Sequence, residues 1–329
     1  MRDPQKVLNS LTRHSVDPNY KFEKLYRILF NQEMYYAAYQ RIYAKPGNMT
    51  AGSDGKTIDG MKLSLIDKLI DAIRDESYQP YPARRTYIQK KNGKKRPLGI
   101  SAFCDKLVQE VMRMVLEAIF EGQFEHTSHG FRPNRSCHTA LMQVKTTYRG
   151  VKWFVEGDIK GFFDNINHDV LIKFLEERIA DDRFIRLVRK FMNAGYVEDW
   201  VFHKTYSGTP QGGIVSPILA NIYLDKLDKY IEVDENEKRL LVGKIRAIEK
   251  ERVQIPYGED MDSNYRRLKY VRYADDFLIG VIGSLDDSRR IKEDVKNFLN
   301  DKLMLELSEE KTLITHSETA AKFLRTKSM

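Results

Sequence analysis

Cysteine is scarce: only Cys104 and Cys137 occur in 329 residues. Two thiols without a Cys-x-x-Cys pair exclude a disulfide scaffold and a cysteine-rich zinc module, and they read as small, partly buried free thiols. No run of 18 or more apolar residues occurs, and no charged-then-apolar leader opens the chain. Neither a spanning helix nor a secretory signal is therefore expected. Internal repeats and low-complexity tracts are also missing, which excludes solenoid and array architectures. Acids are absent from Arg84 to Arg96, a stretch that holds seven basic side chains. What remains is a chain 42% hydrophobic with a formal charge of +8. That suffices for a substantial core and about two subdomains, and its charge suits a polyanionic partner.

Within this frame the densest chemistry is Tyr273-Ala274-Asp275-Asp276. It lies between the strand-like runs Leu268–Arg272 and Phe277–Ile282, so a hairpin with acids at its tip is expected. Adjacent carboxylates repel unless a cation lies near, and hard divalent ions prefer carboxylate oxygen. A solvated Asp-Asp turn is the plainer reading. Far upstream, Trp153-Phe154-Val155-Glu156-Gly157-Asp158 is another short apolar strand ending in an acid. Three such carboxylates could hold two metal ions that activate an attacking oxygen and stabilise leaving pyrophosphate.

The pattern resembles the reverse transcriptase of group II intron maturases. The matching segments are Arg84–Ile100, Ser128-His129-Gly130-Phe131-Arg132-Pro133-Asn134-Arg135, Gly157–His168, Gly208–Leu227, Tyr270–Gly280 and Leu307–Ile314. Gly208-Thr209-Pro210-Gln211-Gly212-Gly213 with Ser216-Pro217 is the most specific after the Ala-Asp-Asp turn. The resemblance implies an α/β (α+β) right-hand polymerase fold: fingers and palm, an antiparallel palm sheet backed by helices, and a helical N-terminal extension. Its expected divisions are 1–80 (extension), 81–150 (fingers), 151–322 (palm, with a charged insertion at 231–266) and 323–329. After Phe323-Leu324 such polymerases carry a Gly and continue into a helical thumb; here Arg325 follows, so the thumb is expected to be absent.

By the same resemblance, Asp158, Asp275 and Asp276 are catalytic and bind two Mg²⁺ (or Mn²⁺) ions, and Lys311 is placed near the leaving pyrophosphate as a general acid. Arg84, Lys90 and Arg96 are the expected triphosphate contacts, while Lys91, Lys94 and Lys95 suit general attraction to nucleic acid. Phe163 stands where a bulky ring excludes a ribose 2′-hydroxyl, and Gln211 where the incoming deoxynucleotide is touched. Expected partners are intron RNA, an RNA template, a DNA primer and deoxynucleotides, with a homodimer allowed, in a bacterial cytoplasm. The rivals are an RNA-binding splicing cofactor without catalysis and an RNA-dependent RNA polymerase, which usually has a smaller residue in place of Phe163.

Plainer assignments complete the reading. Asp164 is structural, Asp225 and Asp228 are solvated surface acids on a helix from Pro217 to about Tyr230, and Phe162 is core. His126, His129, Cys137 and His138 lie close together, but without a second ligand arm they read as structural. The charged 231–266 stretch is either a contact arm or a solvated helix. Helical spacing is expected over 21–45 and from Leu63 to Tyr78, with a hairpin about Asn92-Gly93.

Overall fold

The computed structural model describes residues 3–89, 93, 95–208, 212–231, 267–319, 321–324 and 326–328. In chain order the described elements begin with helices α1 (Pro4–Ser15), α2 (Gln32–Tyr43) and α3 (Leu63–Arg74). Strands β1 (Ala83–Gln89) and β2 (Lys95–Ile100) precede helices α4 (Phe103–Phe120) and α5 (Cys137–Thr147). Then come β3 (Trp153–Asp158), α6 (Phe162–Asn165), α7 (His168–Glu176), α8 (Asp182–Met192), β4 (Tyr196–Glu198), β5 (Val201–His203) and α9 (Ser216–Ile231). The chain closes with β6 (Arg267–Tyr273), β7 (Asp276–Ile282), α10 (Leu285–Leu303), β8 (Ile314–His316), β9 (Ala321–Phe323) and β10 (Thr326–Ser328). It is the mixed α and β fold that the sequence led one to expect. The stretch 232–266 and residues Lys90, Lys91, Asn92, Lys94, Gln211 and Arg325 lie outside the described residues.

Two compact units result: Met1–Gln123 with Phe163–Ile222, and Phe124–Phe162 with Tyr223–Met329. In the first, α4 is buried nearly all round, with Leu107, Val108, Val111, Met112, Val115, Leu116 and Ile119 out of solvent. A helix apolar on every side must sit inside its unit, and α1 and α2 pack against it. Its buried acids are matched: Glu110 accepts from Arg113 at 2.7 and 3.0 Å, and Asp105 accepts from the Tyr78 hydroxyl and from the Tyr81 amide at 2.9 Å. The sheet of this unit runs β2-β1-β4-β5, antiparallel except for the parallel β1·β4 pair.

Two helices are shorter than their periodicity implied. Residues 21–45 do not form one helix: a 3-10 turn over Leu25–Phe30 stops at Asn31, whose side chain caps α2 by accepting from the Glu33 amide at 3.2 Å. A short polar side chain that can satisfy end amides favours the break over continuation. Likewise α3 ends at Arg74 rather than Tyr78, because Glu76 takes a left-handed φ of 61° and Tyr78 turns back to bury its ring.

The second unit is built on the antiparallel sheet β6-β7-β3-β8. One face packs Phe154, Val271 and Leu278 against Ala140 of α5 and Ala321 and Phe323 of β9. In α10, Ile291, Val295, Leu299 and Leu303 recur every four residues as a buried stripe, and this helix contacts β3. Ser284 opens α10 with a reciprocal cap to Asp287.

Candidate active site

The acids meet at one end of this sheet. In the β3·β7 ladder Asp158 is the Cα partner of Asp276, and in the β6·β7 ladder Tyr273 is the partner of Asp276. Ala274 and Asp275 are thus the two central residues of a tight hairpin turn. Such turns need a positive φ at the first central position, and Ala274 has φ 55°. A residue with a Cβ held there is strained, which is tolerated where surrounding structure fixes the turn. The expected hairpin with acids at its tip is present.

A loop lines the end of β3 and presents Lys311. The Ser308 amide donates to the Asp158 carbonyl at 2.8 Å, the Lys160 amide to the Glu306 carbonyl at 2.9 Å, and Ile159 bridges to Leu307. Lys311 Nζ lies 2.7 Å from Asp158 Oδ1, with Asp158 only 17% exposed and Lys311 64%. The lysine therefore offsets the Asp158 charge directly. All three candidate ligands are carboxylates, the donors that a hard divalent ion prefers, and backbone register sets two of them face to face. Among the described residues no three acidic, histidine or cysteine side chains already surround one point. The donor set fits such an ion in kind, and Lys311 occupies one oxygen, Oδ1, of Asp158.

In the other unit, direct pairing of Arg84 with Ile100 and of Arg96 with Ile88 puts Arg84 and Arg96 on the same face of the β1–β2 hairpin. Arg84 Nε and Nη2 donate to the Ala51 carbonyl at 3.1 and 2.8 Å, tying the hairpin to the loop that precedes Gly52. A Cβ on Gly52 would come within 2.5 Å of Ala102 Cα, so only glycine fits there. Phe163 lines a cavity of about 380 Å³ with Arg85, Pro97, Gly99, Tyr196 and Tyr206. Arg85 and Pro97 belong to the opposite face of the hairpin from Arg84 and Arg96, so the structure groups Phe163 with neither of these arginines. Phe162 is buried, as expected of a core ring.

The reverse transcriptase (RNA-dependent DNA polymerase) family model matches residues 88–327. The chain belongs to that family. It is 46% identical over 357 residues to the group II intron-encoded protein LtrA of Lactococcus lactis subsp. cremoris, covering 98% of this chain and 60% of LtrA. It is 41% identical to the COX1/OXI3 intron 1 protein of Saccharomyces cerevisiae, covering 97% and 40%. Against protein YkfC of Escherichia coli (strain K12) the identity is 36%, covering 94% and 84%. The resemblance to group II intron-encoded reverse transcriptases thus holds, and the chain spans about 60% of the length of LtrA.

In this family member the acid turn rests on residues that sequence reading misassigned or passed over. Asp228 is not a surface acid: it is fully buried, and Asp225 is only 7% exposed. Arg272, with no exposed surface, donates from Nε to Asp228 Oδ1 at 2.7 Å and from Nη2 to Oδ2 at 2.5 Å. Its Nη1 also donates to the Ala274 carbonyl at 2.9 Å and its Nη2 to Ser128 Oγ at 2.8 Å, and the Tyr270 hydroxyl donates to Asp228 at 2.8 Å. Burial alone would lower the arginine pKa, but the Asp228 charge and hydrogen bonds raise it above the ordinary value. One turn earlier Asp225 pairs with Lys229 at 2.7 Å, and burial pushes its carboxyl up to about 6. The spacing of acids on α9 could not reveal this, because the partner lies 44 residues on.

Gly130 is the second support. A Cβ there would stand 2.2 Å from the Ala274 nitrogen, so this glycine lets the 127–130 segment press on the strained turn. That segment pairs with β6: the Arg272 amide donates to Thr127 and the His129 amide to Arg272, each at 2.9 Å. The His129 ring nitrogens lie 2.8 Å from Thr139 Oγ1 and 2.6 Å from Gln143 Oε1, so both are engaged within the fold. Gly157 is the third: any Cβ would penetrate the ring of its cross-strand partner Phe277. The two cysteines are free and partly buried, as their number implied.

Proposed function

We propose that this chain is the RNA-directed DNA polymerase portion of a group II intron-encoded protein, adding deoxynucleotides to a DNA primer on an RNA template. The observation that carries this reading is the placement of Asp158 opposite Asp276, beside Asp275 in a strained turn, within a member of this family. Asp158, Asp275 and Asp276 would hold two Mg²⁺ ions, Mn²⁺ being able to substitute. Such ions, when bound, offset charge on the attacking and leaving oxygens. Lys311, released from Asp158, donates a proton from Nζ to the leaving pyrophosphate oxygen.

Arg84, Lys90 and Arg96 neutralise the triphosphate, Gln211 contacts the incoming nucleotide, and the Phe163 ring excludes the 2′-hydroxyl of ribose. The second unit serves as palm and the β1–β2 hairpin as fingers. The same chain binds intron RNA and assists its splicing, in a bacterial cytoplasm. Among the described residues no helix is long and apolar enough to cross a membrane. Primer extension on an RNA template with Mg²⁺ tests the reading. Extension by the wild type and none by Asp276→Asn is expected; extension unaffected by that change overturns it.

A further inference from the structure

The β4–β5 hairpin carries a side chain that its own fold does not use. Asp199 and Trp200 are the central turn residues, with φ 48° and 66°, and Trp200 is 98% exposed. Turns with two positive φ values favour Asn-Gly or Asp-Gly, so a tryptophan in the second position is locally unfavourable. Burial does not compensate it. Phe202 and Tyr206, just beyond, are 54% and 82% exposed. The root of the hairpin is rigid by contrast: the Arg85 guanidinium lies 3.5 Å from the Tyr196 ring centroid, and Tyr196 stacks on His203 at 4.8 Å. A fixed base with protruding aromatic rings is a stacking platform.

Charge selects the occupant. Apart from Arg84 and Arg96, which lie on the opposite face from Arg85, the stretches Ala83 to Gln89, Lys95 to Ile100 and Tyr196 to Tyr206 carry Arg85, Lys95 and Lys204 against Glu198 and Asp199, in a chain whose formal charge is +8. The positive balance favours a polyanion, and the exposed rings of Phe202 and Tyr206 on either side of Lys204 in the chain fit unpaired bases, whose flat faces stack without regard to sequence. We infer that the Asp199-Trp200 hairpin tip binds single-stranded RNA by stacking an unpaired base on Trp200, with Tyr206 as a second ring. This rests on the reading that the chain handles RNA, and adds a contact point remote in sequence from Asp158, Asp275 and Asp276.

Trp200→Gly supplies a test that does not endanger the fold, because glycine is the residue this turn position prefers. The chain is titrated with a labelled, unstructured single-stranded RNA and with a fully paired RNA duplex. The expected result is an unchanged or raised thermal midpoint, about tenfold weaker single-strand binding, and little change for duplex. The slope of affinity against salt should stay that of wild type, since stacking releases no counterions. Trp153→Phe leaves Trp200 as the sole tryptophan, and its emission should be quenched on RNA addition. Wild-type affinity in Trp200→Gly, or unquenched Trp200 emission at saturating RNA, overturns the inference. So does concentration-dependent self-association that Trp200→Gly abolishes, which assigns the tip to a second copy. Wild type that binds no RNA at all would instead overturn the underlying functional reading.

Discussion

Arg272 and Asp228 form a two-point ion pair wholly out of solvent, and the same guanidinium donates to the carbonyl of Ala274 in the acid turn. The position of the catalytic candidates is thereby tied to a helix 44 residues away. Breaking one partner of a buried pair leaves an uncompensated charge, which is destabilising by about 3–5 kcal/mol. Asp228→Ala should lower unfolding stability by that order and abolish nucleotide addition together. Denaturant unfolding of the variant beside wild type measures the first effect. A stability loss below about 1 kcal/mol would show the pair to be dispensable.

Gly130→Ala should act differently. Its Cβ collides with backbone, not with a flexible side-chain end, so the turn itself must move. Extension rate should fall at least tenfold while most of the fold survives, because misplacement of catalytic groups by about 1 Å is costly. The converse change, Ala274→Gly, suits the left-handed φ and should leave stability unchanged or raised by up to about 1 kcal/mol. Parallel thermal melts and primer-extension rates on both variants distinguish a moved turn from general unfolding.

Removing a single carboxylate from the turn separates chemistry from binding. Asp275→Ala or Asp276→Asn should abolish nucleotide addition and leave RNA affinity near wild type. Filter binding and extension assays on the same preparations read both. Normal extension by either variant would remove that residue from the catalytic set.

Phe163→Ala should raise ribonucleotide incorporation relative to deoxynucleotide incorporation, measured as the ratio of kcat/KM values. If the ring only lines the cavity beside Arg85 and Tyr196, the variant will lose stability with sugar choice unaltered.

Asp105 makes stability depend on pH. Burial pushes its carboxyl up to about 7, against the lowering effect of its bonds from Tyr78 and the Tyr81 amide. Between roughly pH 4 and pH 7 the folded chain therefore binds the extra proton, and stability falls as pH rises through that window. Asp105→Asn, neutral throughout, should flatten this slope. Unfolding midpoints between pH 4 and pH 8 check the sign: a wild-type curve that rises over this window more steeply than that of the variant contradicts it.

The hairpin that carries Asp275 and Asp276 was legible because the relevant signals are local. Strand-like apolar runs on either side of Ala274-Asp275 specify a hairpin, and an acid closing the run Trp153–Gly157 marks a strand end, whatever surrounds them. Family pattern then assigned roles to residues such as Lys311 that spacing alone leaves ambiguous. Burial and partnership were not legible in this way. On α9, Asp225 and Asp228 have the spacing of solvated acids, and only the folding of β6 onto that helix supplies Arg272 to neutralise Asp228 in the core. Gly130 looks like any loop glycine until Ala274 arrives within van der Waals reach. These strands, the turn between them and the order of the acids follow from side-chain periodicity and turn chemistry within a few residues. Tertiary structure alone decided which acid is paired with which cation, because charge compensation in a core depends on distances between segments remote in the chain.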